Sequence, residues 1–263
     1  MGLHFEEIGN IKASTIVFIH GGLVLSSWMW EKQMHYFKDY HCIIPDLPEH
    51  GKSFRNGKIS ISRCADEIAK IIEKRANGGK ANIIGYSYSS KIVINLLISR
   101  PELISHAIVA SPLSRPVPIM RFAQSPNIIK LITHIIKSNT VKSFLIKSLN
   151  FPCNSYRINC MKEIHKLTHN KIYRIFNEFC TKLKLPDDLK KVRIPTLIIA
   201  GEKESKPMKQ SVIDMTRLIP SAKGVLLKHG SHTHPWSMHE AFNIVVESWI
   251  NNEQTSDKYT ILI

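Results

Sequence analysis

The segment ANIIGYSYSS, residues 81–90, combines a strand, a tight turn and the start of a helix. Residues 81–84 form a short apolar run, as expected of a strand buried in a parallel sheet. Residues 85–89, GYSYS, nearly match G-x-S-x-G, a sharp strand-to-helix turn that exposes a serine hydroxyl. Ser89 stands where the pattern has glycine, but it is small enough for a tight turn. Ser87 is therefore a candidate nucleophile.

Segments with strand-like and helix-like patterns alternate on both sides of this turn. Short apolar runs rich in β-branched residues predict further strands at 14–19, 41–44, 106–110, 196–200 and 224–227. Apolar residues at helical spacing predict helices between these strands. The helical segments are 28–37, 60–76, 89–99, 208–218 and 240–250. This alternation predicts an α/β protein with a mostly parallel central sheet flanked by helices.

The alternation is interrupted after the fourth main strand. Residues 112–190 open with three prolines and continue with basic, helix-like segments at 127–137 and 141–149, with no strand pattern among them. The strand pattern returns after Pro195. We therefore expect one core domain, formed by residues 1–111 and 191–263, with a helical insertion at residues 112–190.

The basic charge of the chain is concentrated in this insertion. Residues 115–193 contain 16 Lys and Arg but only four Asp and Glu, and the net charge of the whole chain is +15. Such a segment would favour anionic substrates or anionic surfaces. A solvated helical face accounts for the same charge. No nucleic-acid-binding motif accompanies it, so we expect no nucleic-acid partner.

The overall composition is that of a globular protein. Its hydrophobic content of 43% is too high for a disordered chain. No apolar run is long enough to span a bilayer, and the N-terminus lacks a secretory signal pattern. The five cysteines are odd in number and form no CxxC motif, which indicates reduced thiols rather than disulfides or a zinc site. We expect a cytoplasmic protein without stable membrane insertion.

Several further motifs occur in a fixed order along the chain. They are HGG at 20–22 with Trp28 after it, PDLPEHGKS at 45–53, IIGYSYS at 83–89, IPTLIIAGEKE at 194–204, GSH at 230–232 and EAFN at 240–243. In this order they resemble the motifs of the α/β-hydrolase fold superfamily, in its small, cofactor-free, cap-bearing branch. The resemblance implies that the insertion is a helical cap and that neither a metal nor an organic cofactor is needed. Two positions depart from the pattern: Glu49 replaces a glycine, and Glu204 stands where an aspartate is usual.

The resemblance also assigns a catalytic triad. A serine hydroxyl needs a base, and the base needs a carboxylate to fix its tautomer. The chain order in this fold is serine, acid, histidine, which Ser87, Glu204 and His232 satisfy. Two alternatives stay open at this stage, Glu202 for the acid and His234 for the base.

The resemblance places the oxyanion hole on backbone N–H groups. We assign them to Gly22 and Tyr88, with Leu23 as an alternative to Gly22 if the loop is displaced by one residue. Leu23, Trp28 and His234 are candidate substrate contacts, although a tryptophan belongs to a core more often than to a binding site.

These residues predict a serine hydrolase that acts on a small molecule. The expected substrate is a carboxylic ester, thioester or lactone with a small to medium apolar acyl group, cleaved through an acyl-enzyme on Ser87. Two alternatives use the same fold. One is C–C bond hydrolysis or cofactor-free lyase chemistry with the same triad. The other is a capped ligand-binding receptor with vestigial hydrolysis.

Overall fold

The computed structural model describes residues 2–117, 125–181, 183–254 and 256–263. Eight strands form one sheet in the order β1-β3-β2-β4-β5-β6-β7-β8. The strands are β1 (Phe5–Gly9), β2 (Thr15–Ile19), β3 (His41–Pro45), β4 (Ala81–Tyr86), β5 (Ile104–Ala110), β6 (Thr196–Gly201), β7 (Ala222–Leu227) and β8 (Thr260–Leu262). Neighbouring strands are parallel, except for the antiparallel pairs β1 with β3 and β7 with β8.

Helices cover both faces of the sheet. In the described residues they are α1 (Glu31–Tyr36), α2 (Ile61–Arg75), α3 (Ser90–Ser99), α4 (Pro126–Lys137), α5 (Asn139–Ser148), α6 (Asn154–Lys166), α7 (His169–Thr181), α8 (Lys206–Leu218), α9 (His234–Ser237) and α10 (His239–Ile250). Helices α2, α3 and α8 pack on one face, whereas α1 and α10 pack on the other.

The central strands β2, β4 and β6 are fully buried and mostly apolar because both faces of the sheet are covered. Every residue of β2 is buried. Alternate side chains of a strand point to opposite faces, so Val17 and Ile19 join the core under α2 and α3, while Ile16 and Phe18 join the core on the other face. The predicted α/β architecture with a mostly parallel sheet is confirmed.

The two edge strands were harder to predict. The sequence FEEIG of β1 contains two glutamates and lies half-buried at the edge, so it lacks the apolar run of a central strand. The chain end, whose sequence fits either a frayed tail or a docked element, forms β8 against β7, with Leu262 opposite Val225.

Among the described residues, four helices, α4 to α7, lie between β5 and β6, where the sequence predicts a helical insertion. Its boundaries at residues 112 and 190 stay a prediction. Helix α7 packs against α4. Residues of α4, α5 and α7 line the cavities that Ser87 also lines.

Candidate active site

Ser87 lies at the sharp turn between β4 and α3. Its φ of 54° is in the left-handed region, which is strained for a residue with a side chain. The turn is tight because a Cβ at Gly85 would lie only 2.4 Å from the Ser89 carbonyl oxygen. Ser89, the departure from the glycine pattern, is buried and its hydroxyl donates to the His20 carbonyl. The turn therefore accommodates this serine by giving its hydroxyl a partner.

Glu204 lies in the loop that follows β6 and faces His232. The Nδ1 atom of His232 lies 3.0 Å from Glu204 Oε2. The other carboxylate oxygen accepts the Gly201 N–H at 2.8 Å and the Ser111 hydroxyl at 2.7 Å. The alternative acid, Glu202, is 40% exposed and accepts the His229 N–H instead. Of the two acids left open by the sequence, the structure brings Glu204 to the histidine.

The surroundings of Glu204 keep it ionised. Burial raises the pKa of this carboxyl, but the hydrogen bond and charge of His232, the charge of His234 and the Gly201 N–H together lower it to about 2. Glu204 is therefore a carboxylate at neutral pH. It can hold the Nδ1–H of His232 and leave Nε2 free to accept a proton.

His234 lies behind Glu204 rather than in contact with a substrate. It is fully buried, and its Nε2 lies 3.1 Å from the Ser111 hydroxyl, which itself donates to Glu204. Burial lowers the pKa of His234 to about 4, so its ring is neutral at pH 7. His234 does not line either cavity next to Ser87 in the described part of the chain, so its assignment as a substrate contact stays a prediction.

His20 fixes the loop after β2, which carries Gly22. Its Nε2 accepts the Leu47 N–H at 2.9 Å, so the proton is on Nδ1, which donates to the Gly21 carbonyl at 2.6 Å. Burial lowers the pKa of His20 to about 4, which keeps this tautomer neutral. The loop therefore has a defined conformation, as the predicted oxyanion hole requires.

Lys171, on α7, also holds this loop. Its ammonium group is buried and donates to the Leu23 carbonyl at 3.0 Å. Leu23 has a left-handed φ of 62°, unusual for a large side chain. Burial lowers the pKa of Lys171 to about 8, although the Glu163 and Glu49 carboxylates oppose this shift. The contact makes Lys171 a positioning residue that the sequence analysis missed.

Two acidic residues attach α7 to the core. Glu49, with a φ of 64°, pairs with Arg174 of α7. Glu178 of α7 accepts the Tyr88 hydroxyl at 3.0 Å and the Ile61 N–H at 2.6 Å. Glu49 replaces a glycine of the motif at 45–53, and its carboxylate gives this replacement a structural role. Helix α7 is thereby fixed above Ser87.

Two cavities meet at Ser87. Their volumes are about 280 Å³ and 260 Å³, and both are lined by Gly22, Leu23, Ser87, Phe176 and His232. The first extends between α7 and the start of α8, and its further lining includes Leu113, Val117, Ile175, Phe179 and Met208. The second extends under α4 and α5, with Ile132, Ile136, Leu145, Leu149 and Trp236 in its lining. No Lys, Arg, Asp or Glu is among the described residues that line either cavity.

The remaining predicted residues divide into two groups. Gly22, Leu23 and Tyr88 line the cavities, as their assignment requires. Trp28 instead packs edge-on against Phe151 and Tyr156, with ring centroids 5.6 and 5.4 Å apart. Trp28 is absent from the described lining of both cavities, so its assignment as a substrate contact stays a prediction.

The described residues contain neither a cluster of metal-ligating side chains nor a helix that could cross a membrane. Across residues 2–117, 125–181, 183–254 and 256–263, no group of three His, Cys, Asp or Glu side chains is placed to hold a metal ion. None of the helices in these ranges combines the length and the apolar character needed to cross a membrane.

Comparisons with known proteins agree with this architecture. A family model described as alpha/beta hydrolase fold matches residues 14–130. An (E)-2-((N-methylformamido)methylene)succinate hydrolase from Acinetobacter baylyi is 22% identical over 253 residues, which cover 94% of this chain and 93% of that protein. Among solved structures, a meta-cleavage product hydrolase from Pseudomonas fluorescens is similar with a TM-score of 0.70 and 16% identity, covering 95% of this chain and 94% of that one. An esterase from Thermogutta terrifontis is similar with a TM-score of 0.67 and 20% identity, covering 95% and 93%. These proteins are named for different reactions, so similarity of fold leaves the reaction open.

Proposed function

Because this chain has the α/β-hydrolase fold and its residues 14–130 match the model of that family, we propose that it is a serine hydrolase of carboxylic esters, thioesters or lactones with a small to medium apolar acyl group. One arrangement carries the proposal. Ser87 shares an apolar cavity with His232, and Nδ1 of that histidine lies 3.0 Å from the buried carboxylate of Glu204. A base held by an ionised acid beside a strained serine is the constellation that acyl transfer needs.

The proposed mechanism has two halves. In the first, His232 Nε2 takes the proton of Ser87 Oγ as this oxygen bonds to the substrate carbonyl carbon. The backbone N–H groups of Gly22 and Tyr88 stabilise the resulting oxyanion. The tetrahedral intermediate collapses, His232 returns the proton to the leaving oxygen or sulfur, and an acyl-enzyme on Ser87 remains. In the second half, His232 activates water, which releases the acid and restores Ser87.

The cavities support apolar groups on both sides of the reacting carbonyl. One cavity accepts the acyl chain, and the other accepts the leaving group. Each buried CH₂ group contributes about 0.8 kcal/mol, or about fourfold in kcat/KM when the interaction is retained in the transition state. Helices α4, α5 and α7 of the insertion contribute apolar residues to this lining, which supports a cap over a small-molecule substrate.

The lining also argues against anionic substrates. The Acinetobacter relative is named for a succinate, a compound class with two carboxylates. Such groups are ordinarily held by Arg or Lys. Neither residue type lines the two cavities in the described part of this chain. A neutral ester therefore fits this site better than a dicarboxylate.

Hydrolysis of p-nitrophenyl esters tests the proposal. Purified protein should release nitrophenol from acetate, butyrate and hexanoate esters, and Ser87→Ala should abolish this turnover. Ser99→Ala is the matched control, because Ser99 is exposed at the far end of α3, about 15 Å along the helix from its start beside Ser87, and it should retain full activity. Turnover that persists in Ser87→Ala would overturn the mechanism. Tight binding of these esters with negligible turnover by the wild type would instead support a receptor.

A further inference from the structure

We propose that the outer faces of α4 and α5 bind the surface of an anionic lipid bilayer. Through this contact, lipophilic esters dissolved in the bilayer would reach the cavity at Ser87. The inference that the substrates are lipophilic esters rests on the proposed function. The inference of a lipid-binding surface rests only on the exposed side chains of α4 and α5. We define the outer face by the exposed apolar residues Leu131, Ile135 and Phe144, together with neighbouring lysines.

The apolar residues of the outer face are strongly exposed. Phe144 is 73% exposed, Leu131 58% and Ile135 41%. Leu131 and Ile135 are four residues apart on α4, so they lie side by side on one face of that helix. Exposed apolar clusters of this kind mark sites that contact another apolar phase or a partner.

The charge around these residues identifies the partner. Between Glu102 and Glu163 the sequence contains no acidic residue, but it contains eight basic ones: Arg115, Arg121, Lys130, Lys137, Lys142, Lys147, Arg157 and Lys162. Lys130, Lys137 and Lys147 are exposed on the same helices as the apolar residues. Each basic residue near an anionic bilayer raises affinity by about fivefold. A phosphate backbone would attract the lysines but would gain nothing from Leu131 and Ile135, so a lipid surface fits better than a nucleic acid.

An adjacent side of the same two helices, about 100° around the helix axis, lines the cavity. Ile132 and Ile136 of α4, Leu145 of α5 and Leu149 directly after α5 line the second cavity, which Ser87 also lines. Both helices are therefore apolar on two sides, one toward Ser87 and one toward solvent. They have 12 and 10 residues, too few to span a bilayer, but enough to lie in its interface. A bilayer on the outer face would lie about one helix diameter, roughly 10 Å, from this cavity.

Vesicle flotation tests the surface without requiring turnover. Wild-type protein should float with vesicles of equal parts phosphatidylcholine and phosphatidylglycerol, but not with phosphatidylcholine alone. The variant Leu131→Ser/Ile135→Ser/Phe144→Ser should bind the anionic vesicles at least tenfold more weakly. The control Ile11→Ser/Leu262→Ser removes apolar residues that are 64% and 57% exposed outside the insertion, and it should bind like the wild type.

Several outcomes would overturn this proposal. They are absence of wild-type binding to the anionic vesicles, equal binding by the triple variant, and binding to duplex DNA that competes fully with the vesicles. Ser87→Ala should float like the wild type, so binding with no turnover would retain the surface and reject the proposed hydrolysis. The triple variant should hydrolyse p-nitrophenyl acetate in solution at the wild-type rate, yet hydrolyse a long-chain ester in anionic vesicles at least fivefold more slowly. A triple variant that loses both activities would contradict a role confined to membrane contact.

Discussion

Replacing Lys171 by methionine should lower the activity of this protein without lowering its stability. Burial lowers the Lys171 pKa from 10.5 to about 8, so keeping the folded side chain charged at pH 7 costs about 3 kcal/mol. The hydrogen bond from this charged donor to the Leu23 carbonyl returns about 1.5–3 kcal/mol. Methionine has a similar length, and it removes both the cost of burying the charge and the hydrogen bond to the Leu23 carbonyl. We therefore expect the free energy of unfolding to stay the same or to rise by no more than about 2 kcal/mol.

Activity should fall in the same variant. Without the ammonium group, the Leu23 carbonyl loses its hydrogen bond to Lys171, and we expect the neighbouring Gly22 N–H to turn from the oxyanion. Loss of an oxyanion donor lowers kcat by about 10²–10³. A displaced donor costs less, so we expect kcat to fall about 10- to 100-fold with little change in KM. Lys162→Met, an exposed lysine on α6, is the control and should behave as the wild type.

Denaturant unfolding and ester kinetics on the same preparations provide the assay. Because the folded pKa of Lys171 lies below its ordinary value, the unfolded chain binds more protons between pH 8 and 10.5. Between pH 8 and 10.5, the free energy of unfolding of the wild type should therefore rise relative to that of Lys171→Met, so any greater stability of the variant should become smaller. Unchanged kcat would refute the positioning role. A large loss of stability in parallel with kcat would show that Lys171 is only structural.

Three further predictions concern the triad and the cavities. Glu204→Gln should lower kcat by about 10³- to 10⁴-fold, because His232 loses the carboxylate that fixes its tautomer; stopped-flow acylation kinetics measure this. The pKa of His234 in the folded protein is about 4, below its ordinary 6.5, so the free energy of unfolding should fall as the pH drops from 6.5 to 4. The pKa of Glu204 in the folded protein is about 2, below its ordinary 4.5, so the free energy of unfolding should fall again as the pH drops from 4.5 to 2. Each step is worth up to about 3 kcal/mol, and His234→Phe should remove the first from a series of denaturation midpoints against pH. In an acyl-chain series, kcat/KM should rise about fourfold per CH₂ until the cavity is full, whereas monosuccinate esters should be poor substrates.

The sequence predicted strands and site residues best where a few consecutive residues form the pattern. The buried runs of β2, β3, β4 and β6 are continuous in sequence, so their strands could be predicted to within two residues. The Ser87 turn and the Gly201–Glu204 spacing are equally local. That spacing favours Glu204 over Glu202, and in the structure Glu204 faces His232 whereas Glu202 accepts the His229 N–H.

Contacts between distant residues could not be predicted. Lys171 meets Leu23 across 148 residues, and Ser111 meets Glu204 across 93. In the sequence, Lys171 is one of many lysines in a basic segment, and Ser111 is a serine after a strand. Sequence pattern could not show either that Trp28 and His234 are absent from the described lining of the two cavities, because packing behind other side chains has no local signature.

The central claim is that Ser87 is an activated nucleophile. Labelling with a fluorophosphonate, followed by intact-mass analysis, tests it most directly, because the probe reacts with serines that a neighbouring base activates. The account predicts one adduct on the wild type, none on Ser87→Ala, and much slower labelling of Glu204→Gln. An unlabelled wild type, or an adduct that persists in Ser87→Ala, would contradict it.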